Sequence, residues 1–227
     1  KEAGVRGLER NIAHICRKAV TEFLTDNPDA ADNRDIKFRP VKVSERNIEH
    51  YLGKKKYLPE DSYEGRRVGT VRGLAWTSVG GDTLTIEVIT MPGKGNLVLT
   101  GQMGDIMQES AKIAMSHVRA VAGTKYNIDS EYFENTDFHL HIPEGAVPKD
   151  GPSAGITMAT ALLSAVTGKK VRKNLAMTGE ITLMGYVLAV GGLKEKLLAA
   201  KTAGVKTVLV PARNKADIAE LSDEITG

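Results

Sequence analysis

Residues 67–101 alternate between apolar and polar side chains, and this stretch restricts the fold more than any other part of the sequence. It runs RVGTVRGLAWTSVGGDTLTIEVITMPGKGNLVLTG. Alternation with a period of two predicts strands with one buried face, because successive side chains point to opposite sides of a sheet. Gly80-Gly81-Asp82 predicts a hairpin turn, and the Gly-Lys-Gly at 93–95 predicts another. The region must therefore supply a sheet that other segments cover.

The segments after residue 101 show both helical and extended patterns. Apolar spacing predicts helices over 105–123, 153–167 and 193–204, with Gly204 closing the last of them. Extended segments are predicted over 137–145, over 174–192 as strand, turn and strand, and over 205–211 as a buried strand. This mixture predicts an α+β (mixed α/β) domain with short mixed sheets and packed helices.

A different pattern precedes the alternating stretch, with apolar residues at helical spacing over 3–25. Ser44 is a predicted N-cap for a short helix that Gly53 would end. KKKYLPEDSYEGRR then forms a charged connection that contains Pro and Gly. We predict a small helical unit over 1–53, a linker over 54–66 and the larger domain over 67–227. Because the chain starts without Met in a helical pattern, we expect it to be a fragment of a longer polypeptide.

Composition narrows the class of protein. The 227 residues are 41% hydrophobic and 26% charged, with a net charge of +3, which is typical of a globular protein and too weak for a dedicated nucleic-acid binder. One cysteine, Cys16, excludes a disulfide framework and is in keeping with the cytoplasm. No apolar run is long enough to span a bilayer, so we expect no membrane partner. The Lys54-Lys55-Lys56 run is more simply a solvated linker than a site for DNA or polyphosphate.

Ser153 is the first candidate for chemistry. It lies in PKDGPSAG, where Pro152 restricts the backbone and glycines on both sides allow close approach. A serine at the start of an apolar helix is placed where free N–H groups favour developing negative charge, as an acyl-transfer nucleophile requires. An ordinary N-cap serine is the alternative, and the local pattern alone favours it.

Lys196 is the candidate base for that serine. In LKEKLLAAKTAG, a helical projection places Lys196 on the apolar face with Leu193, Leu197 and Ala200. Burial lowers the pKa of a lysine, and a neutral amine can accept a serine proton. The alternative is a lysine whose stem covers the core while its ammonium group reaches water.

The histidine pair and the glycine-rich stretch give weaker indications of a functional site. His139 and His141 share one face of a predicted strand, opposite Phe138 and Ile142, and no third ligand at a recognisable spacing predicts a metal site. A triad of Ser153, His141 and Asp150 is conceivable but has no spacing rule in its favour. The Gly-Lys-Gly stretch lacks the remainder of a phosphate-binding loop, so no nucleotide site of that kind is predicted.

Together these segments resemble the C-terminal part of Lon, the family of ATP-dependent serine proteases. The resemblance rests on EAGVRGLER, RVGTVRGLAWTSVGGDTLTIEV, HIPEGAVPKDGPSAG, AMTGEITLMGYVLAVGGLKEKLLAA and KTVLVP, and it is weakest over 26–64. It implies a Lon-type peptidase fold preceded by the end of a small helical AAA+ subdomain. It also implies that the chain ends before the last strand and helix of the family.

The resemblance further implies roles for individual residues. Ser153 would be the nucleophile and Lys196 the general base of a Ser–Lys dyad, with Thr178 orienting the lysine. Asp150 and Glu87 would be acidic residues lining the site, and Arg6 would sense nucleotide in the intact protein.

It implies an intact protein that is a cytoplasmic homohexamer using ATP and Mg²⁺ to degrade misfolded, damaged and short-lived regulatory proteins in quality control and stress response. Weak binding of DNA or polyphosphate would be a further property. The chain itself lacks the Walker motifs, so it would carry the proteolytic site without the ATP-hydrolysing site and would need no cofactor.

Overall fold

The computed structural model describes residues 4–31, 37–38, 40–55, 67–77, 80–143 and 148–221. The chain divides into two compact units, residues 1–61 and 62–227. The first unit contains helices α1 (Arg6–Asp26) and α2 (Ile48–Leu52), with a short 3-10 helix at Pro28–Ala31. The cluster of Asp, Asn and Pro after α1 stops the helix, as its turn-forming composition predicts.

The start of α2 differs from the sequence prediction. The helix begins at Ile48 with Asn47 in the N-cap position, whereas Ser44 had been predicted to cap it. A turn precedes the helix because the Ser44 carbonyl accepts hydrogen bonds from the N–H groups of both Asn47 and Ile48, at 3.1 and 2.9 Å. Asn47 Oδ1 accepts from the Ser44 N–H in return, at 2.7 Å. The predicted end at Gly53 is confirmed, with φ of 80°.

The second unit is the predicted mixture of strands and helices. Its strands are β1 (Thr70–Thr77), β2 (Gly80–Pro92), β3 (Leu97–Thr100), β4 (Thr136–His141), β5 (Leu175–Met177), β6 (Glu180–Ile181), β7 (Val187–Leu188) and β8 (Thr207–Leu209). Its helices are α3 (Asp105–Tyr126), α4 (Ser130–Glu134), α5 (Gly155–Thr167), α6 (Leu193–Thr202) and α7 (Lys215–Ala219).

Six strands form a mixed sheet in the order β3-β4-β2-β1-β5-β8, and β6 pairs with β7 in a separate hairpin. The antiparallel pairing of β1 with β2 is the predicted hairpin, but Gly80 and Gly81 belong to β2, opposite Thr77 and Trp76. The predicted second hairpin at 93–95 is wrong. β2 and β3 are both neighbours of β4, because β4 pairs antiparallel with β2 and parallel with β3.

The loop between β2 and β3 is held by one carboxylate instead. Asp137 Oδ1 accepts hydrogen bonds from the backbone N–H groups of Asn96 and Lys94, each at 2.8 Å. These donors, Asn96 first and Lys94 second, lower the pKa of Asp137. A Cβ at Gly93 would lie 2.1 Å from the same carboxyl group, so a side chain at this position would displace the carboxylate from its hydrogen bonds.

Both faces of the sheet are covered, by different helices. Helices α3 and α5 bury one face, in a core that includes Val71, Ile86 and Phe138. The other face contributes Leu74 and Ala176 to a smaller cluster with Ala200 of α6. Since Val71 and Leu74 are three residues apart on one strand, they point to opposite sides of the sheet.

Strand β8 is shorter than predicted and lies at an edge of the sheet. The sequence predicted a buried strand over 205–211, whereas Thr207 and Leu209 are exposed and only Val208 is half-buried. β8 pairs with β5 only, and its side chains alternate between the two faces of the sheet, so Thr207 and Leu209 share the face that is exposed at this edge. The predicted end of α6 is confirmed, since Gly204 follows it with φ of 71°.

Candidate active site

One cleft in the second unit contains Ser153 and Lys196 together. Its volume is about 420 Å³. Three carboxylate residues also line it, namely Asp150, Glu180 and Glu195. The apolar part of the lining consists of Leu74, Ala75, Trp76, Leu84, Met107, Pro152, Ala154, Ala189 and Val190. The cleft therefore joins the strand β1, the start of α3, the residues before α5, and α6.

Ser153 occupies a 3-10 turn, Pro152–Ala154, that leads into α5. The N-cap interpretation is wrong, because Ala154 is the N-cap residue and α5 has no side-chain cap. Gly151 has φ of 121°, a conformation that favours glycine and turns the chain just before Pro152. Ser153 thus lines the cleft just before the N-terminal end of a 13-residue helix without serving that helix as its cap.

Lys196 is buried, with only 2% of its surface exposed. The prediction that Lys196 lies on the buried face of its helix is confirmed, since Leu193 and Ala200 on the same face are also buried. Burial lowers the pKa of Lys196 from the ordinary value of a lysine, because an ammonium ion loses hydration in the protein interior. The snorkelling alternative does not fit this degree of burial.

Thr178 connects the lysine to the serine segment. Lys196 Nζ donates a hydrogen bond to Thr178 Oγ1 at 3.1 Å, and Thr178 Oγ1 donates to the Ser153 carbonyl at 3.2 Å. The Ser153 carbonyl also accepts from the Gly179 N–H at 2.8 Å. Among the described residues there is no direct hydrogen bond between Ser153 Oγ and Lys196 Nζ. The position of the amine is therefore set by a threonine that also holds the serine backbone.

Asp150 lies beside Ser153 but acts on the backbone. Its Oδ1 accepts from the N–H of Met107, in the first turn of α3, at 2.9 Å and from the N–H of Gly151 at 2.8 Å. Oxygen acceptors at the start of a helix are favourable because the first N–H groups have no partner within the helix. A Cβ at Gly104 would lie 2.4 Å from the same carboxyl group. Asp150 thus fixes the segment before Ser153 onto α3.

The other predicted site residues lie elsewhere. Glu87 lies in β2 between Thr70 and His141 of the neighbouring strands, and the residues that line the cleft do not include it. Neither His139 nor His141 lines the cleft; each ring is hydrogen-bonded to Thr100 Oγ1, at 2.8 and 2.7 Å. Arg6 begins α1 in the first unit, where it is exposed.

Two close contacts of glycines around α6 were not predicted from the sequence. A Cβ at Gly81 would lie 1.9 Å from the Glu195 carbonyl oxygen, so β2 and α6 meet there backbone to backbone. A Cβ at Gly192 would lie 2.9 Å from the Trp76 ring, which covers the N-terminus of α6. The signal was present as paired glycines, 80–81 and 191–192, whose lack of a Cβ permits such approach.

The described ranges contain no group of three or more His, Cys, Asp and Glu side chains able to hold a metal ion. Within the same ranges no helix combines the length and apolar character needed to cross a bilayer. The arrangement offers instead a hydroxyl, a buried amine with lowered pKa and a positioning threonine. These groups fit nucleophilic attack on a carbonyl with an amine as the base.

Comparison with known proteins gives a consistent result over the whole chain. A family model described as the Lon protease (S16) C-terminal proteolytic domain matches residues 42–227, and one described as the Lon protease AAA+ ATPase lid domain matches residues 1–31. Lon protease of Lachnoclostridium phytofermentans is 52% identical, over all of this chain and 31% of its own length. Those of Vibrio parahaemolyticus and Escherichia coli K12 are 54% and 51% identical over 99% of this chain, which covers 28% and 27% of them. The chain thus spans less than a third of these relatives.

Proposed function

Because this chain belongs to the Lon protease (S16) family and carries its serine peptidase domain, we propose that Ser153 and Lys196 are its catalytic pair. In this proposal Ser153 Oγ is the nucleophile and Lys196 Nζ is the general base. The substrates are polypeptides, which the name of the proteolytic domain supports.

The observation that carries the proposal is the burial of Lys196 in the same cleft as Ser153. A lysine in water holds its proton at neutral pH, since its pKa is near 10.4. At 2% exposure the ammonium form is destabilised, so the neutral amine that a general base requires becomes accessible. The bond to Thr178 Oγ1 then orients the amine towards the serine segment.

The chemistry consists of two acyl transfers. Ser153 Oγ forms a bond to the scissile carbonyl carbon as its proton moves to Lys196 Nζ. The resulting ammonium ion donates that proton to the leaving nitrogen as the C–N bond breaks, which leaves an ester on Ser153. Water then attacks the ester with Lys196 again accepting a proton and returning it to Ser153 Oγ, and the acid product is released.

The oxyanion that forms during attack needs N–H donors. We expect these donors among the backbone N–H groups of residues 150–153, next to the nucleophile. The Gly151 N–H already donates to Asp150 Oδ1, and Pro152 has no N–H. Of that segment, the backbone N–H groups of Asp150 and Ser153 are therefore the proposed donors.

The intact protein is proposed to be an ATP-dependent protease of the cytoplasm that acts on misfolded, damaged and short-lived regulatory proteins. The relatives, named Lon protease, and the match of residues 1–31 to an AAA+ lid support this. ATP and Mg²⁺ would power unfolding of the substrate, a homohexamer would enclose the cleft, and DNA or polyphosphate would bind weakly. Arg6, an exposed guanidinium at the start of α1, fits the proposed role of contacting nucleotide phosphate.

Peptide cleavage by four forms of the chain tests the catalytic pair. Wild type should cleave an unstructured fluorogenic peptide, whereas Ser153→Ala and Lys196→Ala should lose about 10²–10⁴-fold in kcat, the usual contribution of acid–base and nucleophilic groups. His141→Ala is the control and should cleave as wild type does. Loss of activity in His141→Ala together with an active Lys196→Ala would overturn the assignment. Peptide cleavage by Ser153→Ala at the wild-type rate would point to a function that does not depend on a serine nucleophile.

A further inference from the structure

The β6–β7 hairpin carries large apolar side chains that the catalytic mechanism does not use. Leu183, Met184 and Tyr186 are 59%, 80% and 71% exposed and lie in the loop that joins the two strands. Single apolar residues on a surface are common, whereas contiguous apolar patches mark binding sites. We refer to these three residues as the apolar tip.

The loop that carries the apolar tip has a defined turn geometry. The Gly185 N–H donates to the Thr182 carbonyl at 2.9 Å, and the Thr182 N–H donates to the Tyr186 carbonyl at 3.0 Å. Thr182 Oγ1 also accepts from the Tyr186 N–H at 3.1 Å. Gly185 has φ of 82°, as hairpin loops that end in a left-handed residue require. Leu183 and Met184 are therefore the central residues of an ordered turn.

A histidine of α3 fills the space beneath this turn. The Leu183 carbonyl accepts a hydrogen bond from His117 Nδ1 at 3.1 Å. A Cβ at Gly185 would lie 2.3 Å from the same imidazole ring. The inner side of the turn is thus occupied by a polar ring, and the apolar side chains extend into solvent. The ordered turn lowers the backbone part of the conformational entropy that is lost when a ligand binds.

The hairpin is also continuous with the candidate active site. Glu180 of β6 lines the cleft, and so do Ala189 and Val190 just after β7. Leu183 lies three residues beyond Glu180, which corresponds to at most about 10 Å, the length of three residues of extended strand. The apolar tip is therefore only a few residues of chain away from the lining of the cleft.

We propose that the apolar tip is a docking site for apolar segments of unfolded polypeptide substrates whose scissile bond lies in the cleft. This proposal rests on the proposed function. Unfolded chains expose the apolar residues that a folded protein buries, and the tip offers matching side chains beside the site of cleavage. Methionine and tyrosine suit a surface that must accept many sequences, because the thioether adapts its shape and the phenol combines apolar area with a polar group.

The test compares a short with a long substrate on the 227-residue chain. The probes are a fluorogenic tripeptide, which spans only about 10 Å, and a reduced, carboxymethylated lactalbumin, which is permanently unfolded. Leu183→Ser/Met184→Ser and Tyr186→Ser are the variants. Ile89→Ser is the matched control, since Ile89 is as exposed as Leu183, at 59%, and lies in β2 away from the cleft lining. Because loss of buried apolar contact weakens binding, KM for the unfolded protein should rise about tenfold in the tip variants.

The proposal requires that kcat/KM for the tripeptide stay at the wild-type value in the tip variants, which also shows that they are folded. It requires Ile89→Ser to cleave both probes as wild type does. An unchanged KM for the unfolded protein, or an equal loss on both probes, would overturn the docking site. A lower sedimentation coefficient in the tip variants would also overturn it, by identifying the tip as a contact between copies of this chain. Tripeptide cleavage that survives Ser153→Ala would instead refute the proposed function.

Discussion

Replacement of Thr178 by valine is the sharpest probe of the candidate active site. Valine keeps the shape of threonine but removes Oγ1, which accepts from Lys196 Nζ at 3.1 Å and donates to the Ser153 carbonyl at 3.2 Å. That carbonyl keeps its bond from the Gly179 N–H at 2.8 Å, so the uncompensated loss falls on the buried amine. Leaving a buried donor unpaired costs about 1–3 kcal/mol. For a unit of this size, the thermal midpoint should fall by about 2–12 °C.

The effect on catalysis should exceed the effect on stability. An amine that is no longer oriented can move by about 1 Å, and such a displacement can lower the rate about 10²-fold. Loss of the hydroxyl acceptor also removes support for the ammonium form, so the pKa of Lys196 should fall further. The acid limb of the profile of kcat/KM against pH, measured with a fluorogenic peptide, should therefore shift to lower pH in Thr178→Val.

Thr157 provides the matched control for this experiment. It is fully buried, and its Oγ1 donates to the Met177 carbonyl at 3.3 Å without contacting Lys196. Thr157→Val should lose a similar amount of stability, measured by thermal unfolding, and keep the wild-type rate and pH profile. Wild-type kcat/KM in Thr178→Val, or an equal loss of rate in Thr157→Val, would refute the positioning role of Thr178.

Three further predictions concern the packing and electrostatics of the same unit. Lys196→Met should be inactive in peptide cleavage yet more stable to heat at neutral pH. The lowered pKa of Lys196 makes the wild-type protein lose stability as the pH falls from the ordinary lysine pKa to the lowered one, and methionine removes this loss. A thermal midpoint below that of wild type would contradict this prediction. Gly81→Ala should strongly lower the thermal midpoint, because its Cβ would be forced against the Glu195 carbonyl. Gly123→Ala in α3, whose Cβ would lie 3.6 Å from the Ile128 carbonyl oxygen, should instead raise the free energy of unfolding in urea by about 0.5–1 kcal/mol. Asp137→Asn should weaken the dependence of the free energy of unfolding on pH in the acid range. The lowered pKa of Asp137 provides stability above the ordinary aspartate pKa, and this stability is lost as the pH falls through the lowered pKa. Equal acid sensitivity of variant and wild type would count against the prediction.

The periodicity of apolar residues in the sequence was sufficient to predict which side chains near the site are buried. The helical projection placed Lys196 on the buried face of α6, and the structure confirms this at 2% exposure. Alternation in FHLHIP placed Phe138 and Ile142 in the core and the histidines on the other face, which is also confirmed. These predictions succeed because the direction of a side chain depends on its own backbone and its near neighbours.

The order of the strands and the connections within the site were decided by tertiary structure. β3 lies beyond β4 and not beside β2, because pairing joins segments about 40 residues apart, which no local pattern encodes. Ser153 lies in a 3-10 turn and not at an N-cap, and Thr178 holds both its carbonyl and the Lys196 amine. The sequence by itself predicted Ser153 and Lys196 as the candidate pair and determined which faces of α6 and β4 are buried. Only the packing of α6, the end of β5 and the segment before α5 around one cleft decided how the serine backbone, the threonine and the amine are held together, since the hydrogen bonds that connect them span 25 and 18 residues of chain.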